Sequence, residues 1–211
     1  LQRNSRNVSE STFGGTTECG GAITATVRKG RTVLKTFADV KVGVATQGRF
    51  KGRLNGVPAG GPYDIELRIR EKKVLTVRDI LVGDVWILAG QSNMQGSGFN
   101  KKPVKPHPMV RALYMNDRWA PARDPLHDMS ECVDQVHLDI NNGPVGRPAK
   151  GWGAGPGPSF GLRMFKLTRV PQGMMACGHG GTSMAQWDPD LKKLGSKSLY
   201  GALLRRFNRN G

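Results

Sequence analysis

The apolar run Val85-Trp86-Ile87-Leu88-Ala89 leads straight into Gly90, Gln91 and Ser92, and this junction constrains the chain more than any other feature. A short apolar run ended by glycine reads as a buried strand that stops abruptly. Ser92 then stands two residues past the strand end, where a following segment can begin a helix. A sharp strand-to-helix turn exposes a hydroxyl, and the N–H groups of the helix start face any negative charge that develops beside it. Ser92 is therefore the candidate nucleophile. The spacing is not the G-x-S-x-G elbow of α/β-hydrolases, because Gln91 precedes the serine and Asn93 follows it.

Texture divides the chain into three stretches. Residues 1–20 are rich in Ser, Thr, Asn and Gly without periodicity, and read as a loop or frayed leader. Residues 21–80 read as a small antiparallel, sandwich-like β module ahead of the remainder. Ala22–Val27, Thr32–Phe37 and Val40–Ala45 are strand-like, and Tyr63–Arg70 alternates apolar and polar residues, the mark of a strand with one wet face. The stretch Pro58-Ala59-Gly60-Gly61-Pro62 argues against regular structure, and Val74–Val77 is a further short strand. In residues 81–211, Val110–Met115 and Gly173–Cys177 are strand candidates. Ser159 is placed to cap a helix over Phe160–Leu167, and Tyr200–Phe207 is a basic amphipathic helix. Strand and helix alternating in this way predict an α/β fold with a parallel sheet, whose ligands gather at the carboxyl ends of the strands. Ser92 and Gly180-Gly181 both fall at such ends.

Composition sets outer limits. A chain of 211 residues holds one large domain or two small ones. Its 29 glycines bring the apolar share up to that of a folded globular protein. No stretch approaches the roughly 18–20 apolar residues of a membrane helix, so no membrane span is expected. No signal peptide opens the chain, but residue 1 is Leu rather than Met, so that says little about export. Three cysteines without C-x-x-C spacing argue against a structural zinc site. Cys177 reads as a buried small hydrophobe, whereas Cys19 and Cys132 could pair in an oxidising compartment. The net charge of +16 would draw a polyanion, yet the basic residues are scattered with little aromatic interleaving. A solvated basic surface is the simpler reading, and nucleic acid is not an expected partner.

Several blocks in order carry a family resemblance. Gly60-Gly61-Pro62-Tyr63, Val82-Gly83-Asp84-Val85-Trp86 and Gly90-Gln91-Ser92-Asn93-Met94 resemble the entry to the catalytic domain of SGNH-type hydrolases of the sialate O-acetylesterase-like branch. Gly155-Pro156-Gly157 with Phe160, Gly180-Gly181-Thr182 followed by Trp187, and Ser198-Leu199-Tyr200 are similar to later blocks of that family. The resemblance implies a three-layer α/β/α domain that removes O-acetyl groups from carbohydrates, here as the first part of that domain over residues 81–211. It implies Ser92 as nucleophile, with the Ser92 and Gly181 N–H groups facing the oxyanion. Gln91, Asn93, His179, Gly180 and Thr182 would line the pocket. It further implies a secreted or periplasmic protein acting on an O-acetylated carbohydrate. Covalent serine chemistry needs no cofactor, and no phosphate-cradling motif is present.

A serine nucleophile needs a base, and the base an orienting group. The family supplies a Gln-Gly-Glu block and a late Asp-x-x-His. No Gln-Gly-Glu occurs here, and Asp134-Gln135-Val136-His137 lies before the glycine block, in the wrong order. Asp134 and His137 are thus weak acid–base candidates beside His127, in Asp124-Pro125-Leu126-His127, and His179, while His107 between prolines is expected to be exposed. The chain is expected to be a fragment with the nucleophile half of the site. Two rival functions stand beside the esterase. One is an inactive carbohydrate-binding protein on the same scaffold, using Trp86, Trp119, Trp152 or Trp187 to stack sugars. The other is a polyanion binder whose affinity collapses with salt.

Overall fold

The computed structural model describes residues 1–46, 48–70 and 72–210, so Gly211, the end of the expected esterase portion, lies outside the described residues. The chain divides into two compact units, Leu1–Asp84 and Val85–Gly211. Among the described residues of the first, seven strands form one antiparallel sheet: β1 (Val8–Thr16), β2 (Gly21–Lys29), β3 (Thr32–Val33), β4 (Val40–Thr46), β5 (Arg49–Pro58), β6 (Gly60–Ile69) and β7 (Lys72–Val82). Their order is β1-β5-β4-β2-β6-β7, with β3 paired to β2. The alternation read over Tyr63–Arg70 is realised in β6. Tyr63, Ile65, Leu67 and Ile69 are buried, and the first three pack with Ala25, Val27, Leu54, Val57 and Val82.

Three expectations for this unit give way. Residues 8–16 are not a loop but the edge strand β1, paired along β5 from Val8↔Pro58 to Thr16↔Arg49. An edge strand with one buried residue, Ser9, needs no apolar alternation, so its composition resembles a loop. Thr32–Phe37 is not one strand, since β3 stops at Val33 and Lys35–Phe37 makes a 3₁₀ turn that buries Phe37. The Pro58–Pro62 stretch is not irregular either, because β5 runs to Pro58 and β6 starts at Gly60. Pro58 terminates its strand, a position where a missing N–H is tolerated.

In chain order, β8 (Asp84–Leu88), α1 (Ser92–Gln95), β9 (Gly98–Phe99), β10 (Val110–Leu113), β11 (Trp119–Pro121), α2 (Gln135–Ile140), β12 (Trp152–Ala154), α3 (Gly157–Thr168), β13 (Gln172–Ala176) and α4 (Leu199–Asn210) follow. Four of these strands form a sheet in the order β11-β10-β13-β8. β10 and β13 are parallel, with Val110 beside Gln172 and Leu113 beside Met175. The Cys177 N–H donates to Leu88 O at 3.0 Å and the His179 N–H to Gly90 O at 2.9 Å. These bonds step forward together along both chains, so β8 runs parallel to β13 as well. β11 is antiparallel to β10.

The chain is thus α/β in its second unit, where the sheet is mixed in place of the expected parallel one, while the antiparallel module expected ahead of it is a single seven-stranded sheet and not sandwich-like. The reason for β11 is local: only residues 114–118 separate it from β10, and so short a link returns a strand antiparallel. Alternation along β13 serves both faces of the sheet. Met174 and Ala176 pack with Leu88, Val110, Ala112 and Phe165 of α3, whereas Met175 and Cys177 pack with Leu113 and Leu203 of α4. α3 starts before the expected Ser159 cap, because Pro158 fits the first turn, where its missing N–H has no intrahelical partner. Cys19, Cys132 and Cys177 are all free thiols. No helix among the described residues is long and apolar enough to cross a membrane.

One charged side chain fixes the carboxyl end of β10. Arg206 of α4 is 1 % exposed. Its Nη1 donates to Met115 O at 3.2 Å, its Nη2 donates to Leu113 O at 3.2 Å and Tyr114 O at 2.6 Å, and Nη1 lies 3.1 Å from Asp117 Oδ1. Leucine at this position would strand three carbonyls and part of a carboxylate away from water. Arg206→Leu should lower unfolding free energy by about 3 kcal/mol, read from the shift of the urea midpoint, whereas a change under about 0.5 kcal/mol would deny Arg206 this role.

Candidate active site

Ser92 opens the single turn of α1, reached from β8 through Ala89, Gly90 and Gln91. Gly90 takes φ of +140°, a value glycine adopts readily, and the chain reverses there. Parallel pairing carries the chain after β13 alongside this turn, so Gly178, His179 and Gly180 run beside Gly90–Gln95. The approach leaves no room for side chains. A Cβ on Gly180 would stand 2.9 Å from Gln95 Oε1 and 3.6 Å from Ser92 Cα, and one on Gly178 would stand 3.2 Å from Gln95 N. The Gly180 N–H donates to Gln95 Oε1, which ties the two strand ends together. Gln95 is a residue that sequence reading passed over; its only signal was its place one turn after Gln91.

Ser92 is half-buried, and both of its donors meet one acceptor. Its Oγ–H donates to Gln91 Oε1 at 2.8 Å, and its backbone N–H donates to the same oxygen at 3.2 Å. An amide oxygen accepts a hydrogen bond but is far too weak a base to take the serine proton. Asn93 is exposed beside it, and Gly181, also exposed, takes φ of +70°. Thr182 is buried; its hydroxyl donates to His179 O at 2.8 Å and accepts the Trp187 indole N–H at 3.0 Å, so it braces the loop after the glycines.

The acid–base candidates are arranged differently from the sequence reading. Asp134 and His137 are not joined as a pair. The Asp134 carboxylate, 1 % exposed, receives Nε and Nη2 of Arg205 at 2.6 and 2.8 Å, the forked geometry of a strong ion pair. His137 instead meets His179, with their Nδ1 atoms 2.8 Å apart and ring planes within 19°. His179 Nε2 lies 3.3 Å from Asn141 Oδ1, an acceptor. In the neutral pair this makes His179 the Nε2–H tautomer, and its bare Nδ1 accepts the Nδ1–H of His137.

Charge is disfavoured throughout this cluster. Burial, reinforced by His179 and Arg206, pushes His137 down to about 3. Burial pushes His127 down to about 4 and lowers His179 as well. His127 reaches Leu88 O at 3.4 Å from Nε2, beneath the serine turn. Its segment, Asp124-Pro125-Leu126-His127, has the same Asp-x-x-His spacing as Asp134–His137, a signal open to sequence reading. Asp124 is raised by burial and accepts from Gly155 N at 3.3 Å. His107 is half-buried rather than exposed, its ring centroid 4.4 Å from that of Phe165.

Residues 82–211 match the family model described as carbohydrate esterase, sialic acid-specific acetylesterase. The chain belongs to that family. Over 177 residues this family member is 28% identical to the sialate O-acetylesterases of Pongo abelii and Homo sapiens, covering 80% of its own length and 33% of theirs. It therefore spans about a third of the curated relatives it matches. A carbohydrate acetylesterase from Xanthomonas citri aligns with 24% identity and a TM-score of 0.47, over 89% of this chain and 39% of that one.

The buried histidines make stability depend on pH. Their folded values lie below the ordinary 6.5, so the unfolded chain binds more protons than the folded one under acid. Stability should be full above pH 6.5 and fall progressively as pH drops toward 4. Urea midpoints measured at pH 7.5, 6 and 5 check this, and a midpoint that rises on acidification would contradict it.

Proposed function

We propose that the protein is a serine esterase that removes O-acetyl groups from carbohydrates. Ser92 Oγ adds to the acetyl carbonyl carbon while a base takes its proton. The carbonyl oxygen carries the resulting charge against the N–H groups of Ser92 and Gly181. The sugar alcohol leaves with a proton, and the acetyl group stays on Oγ until water attacks it and releases acetate. The observation that carries this reading is the meeting of the serine turn and the glycine block at the ends of two hydrogen-bonded parallel strands, inside the family-matched residues. The relatives named as sialate O-acetylesterases support the substrate class, and family resemblance supports action outside the cytosol.

In the resting arrangement the Gln91 carboxamide occupies both groups that Ser92 needs. Substrate must displace it from the N–H, and a base must replace it at the hydroxyl. Two observations favour a second reading, in which the chain binds carbohydrate without turnover: Asp134 is held by Arg205, and Ser92 has an amide as its hydroxyl partner.

Labelling with a fluorophosphonate probe, read by intact mass, separates the two. The esterase reading expects one adduct on the wild-type chain and none on Ser92→Ala, with 4-nitrophenyl acetate turnover reduced on the order of 10⁴-fold or more in the variant. A folded wild-type chain that takes no label, or a Ser92→Ala chain that still does, overturns it. Gln91→Ala should label about fivefold faster than wild type, the equivalent of one hydrogen bond of roughly 1 kcal/mol removed from the resting serine.

A further inference from the structure

The strands β9 and β12 pair with each other as a two-stranded ribbon, Trp152 opposite Phe99 and Ala154 opposite Gly98. This ribbon is fixed to the serine turn. Gly96 closes α1 by donating its N–H to Ser92 O at 3.0 Å, and a Cβ on Gly96 would overlap the Gly153 carbonyl. On the other side of the ribbon, Asp124 accepts from Asn100 Nδ2 at 3.1 Å and from Gly155 N at 3.3 Å. The Asn100 N–H donates to Gly151 O at 2.6 Å. A ribbon this short has no stability of its own, so its place is set by these attachments.

Two rings stand on it in solvent. Phe99 is 53 % exposed and Trp152 is 51 % exposed, with centroids 5.8 Å apart and planes at 70°. The Phe99 ring lies over Gly151, where a Cβ would come within 2.8 Å of it. Two large rings carried on a ribbon whose backbone is tied to the Ser92 turn, and left half in water, form an exposed apolar surface. Its rim is polar and cationic: Asn100 and Asp124 bind each other there, Lys101 follows Asn100, and Lys150 precedes Gly151, both lysines exposed.

We propose that Phe99 and Trp152 form a sugar subsite next to Ser92. It stacks the pyranose ring of a carboxylate-bearing acetylated carbohydrate, with Lys101 and Lys150 facing the carboxylate. The C–H face of a pyranose matches an aromatic surface, its hydroxyls match the Asn100–Asp124 rim, and the lysines supply the charge complement. The subsite deepens the esterase reading and rests on Ser92 being the reacting group.

The test uses the full chain carrying Ser92→Ala, which leaves the ester intact, and the methyl glycosides of an O-acetylated uronic acid and of an O-acetylated neutral hexose. Affinity is read by ligand-observed saturation-transfer NMR titration. Phe99→Ala and Trp152→Ala should each weaken uronic-acid binding about tenfold. Trp152→Phe should restore most of the loss, and Trp119→Ala, which removes an exposed indole from β11, should change nothing. The Lys101→Ala/Lys150→Ala pair should weaken the uronic acid and spare the hexose. Unchanged affinity in folded Phe99→Ala and Trp152→Ala chains overturns the subsite, as does equal loss on Trp119→Ala. Equal affinity for the two glycosides overturns the role of the lysines. A wild-type chain that takes no fluorophosphonate yet binds the uronic acid through Trp152 would sink the Ser92 reading and leave the subsite standing.

Discussion

A guanidinium removed from water must be surrounded by acceptors, and in this chain that requirement falls on Arg206. It reaches the carbonyls of Leu113, Tyr114 and Met115 and the carboxylate of Asp117, groups 89 or more residues earlier in the chain. The desolvation of such an ion is large, and only near-complete pairing offsets it, so few other placements of α4 are tolerated. Its neighbour Arg205 extends the constraint to Asp117 through Nη1 at 2.8 Å and to Asp134 through the fork already described. Between them the two arginines seat α4 against the end of β10 and against the start of α2. That helix carries His137, and β10 is the neighbour of β13, which leads to the glycine block. The positions of the site's parts follow from these ionic contacts.

The polar chemistry around Ser92 has a consistent character. Three histidines are held neutral by burial, one glutamine covers the serine donors, and a second glutamine binds the Gly180 N–H. These are hydrogen-bonding groups kept free of charge, the kind of surroundings that the proposed oxyanion chemistry would call for. Net positive charge lies elsewhere, on exposed lysines and arginines, two of them flanking the Phe99–Trp152 ribbon.

What could be read from the sequence depended on how far each feature reached along the chain. The Ser92 turn was legible because strand, glycine and serine are contiguous, and β6 because its alternation is local. β1 was not, because pairing with β5 rather than its own composition makes it a strand. The Arg205–Asp134 pair spans 71 residues and the His137–His179 pair spans 42. Nothing local distinguishes a carboxylate that will meet an arginine from one that will orient a histidine, so Asp134 was read as a potential acid–base residue and found in an ion pair. Strand direction was legible for β8, β10 and β13, where helices intervene. β11 was not read as a strand at all, because its three residues, Trp119–Pro121, are too few to show a period and it exists through its pairing with β10.

The bonds from Cys177 to Leu88 and from His179 to Gly90 work as a ruler. Serine and glycine block belong to different segments, and the separation between them is set by which rung of the ladder each strand occupies. A slip of one residue would move the glycines by about 3.3 Å and turn every β13 side chain to the opposite face. Met174 and Met175 would then exchange surroundings, and the core would oppose the move. Alignment at the end of the sheet that carries Ser92 and the glycine block is thus enforced by side chains remote from both, and a core substitution can shift one against the other while leaving every polar group there in place.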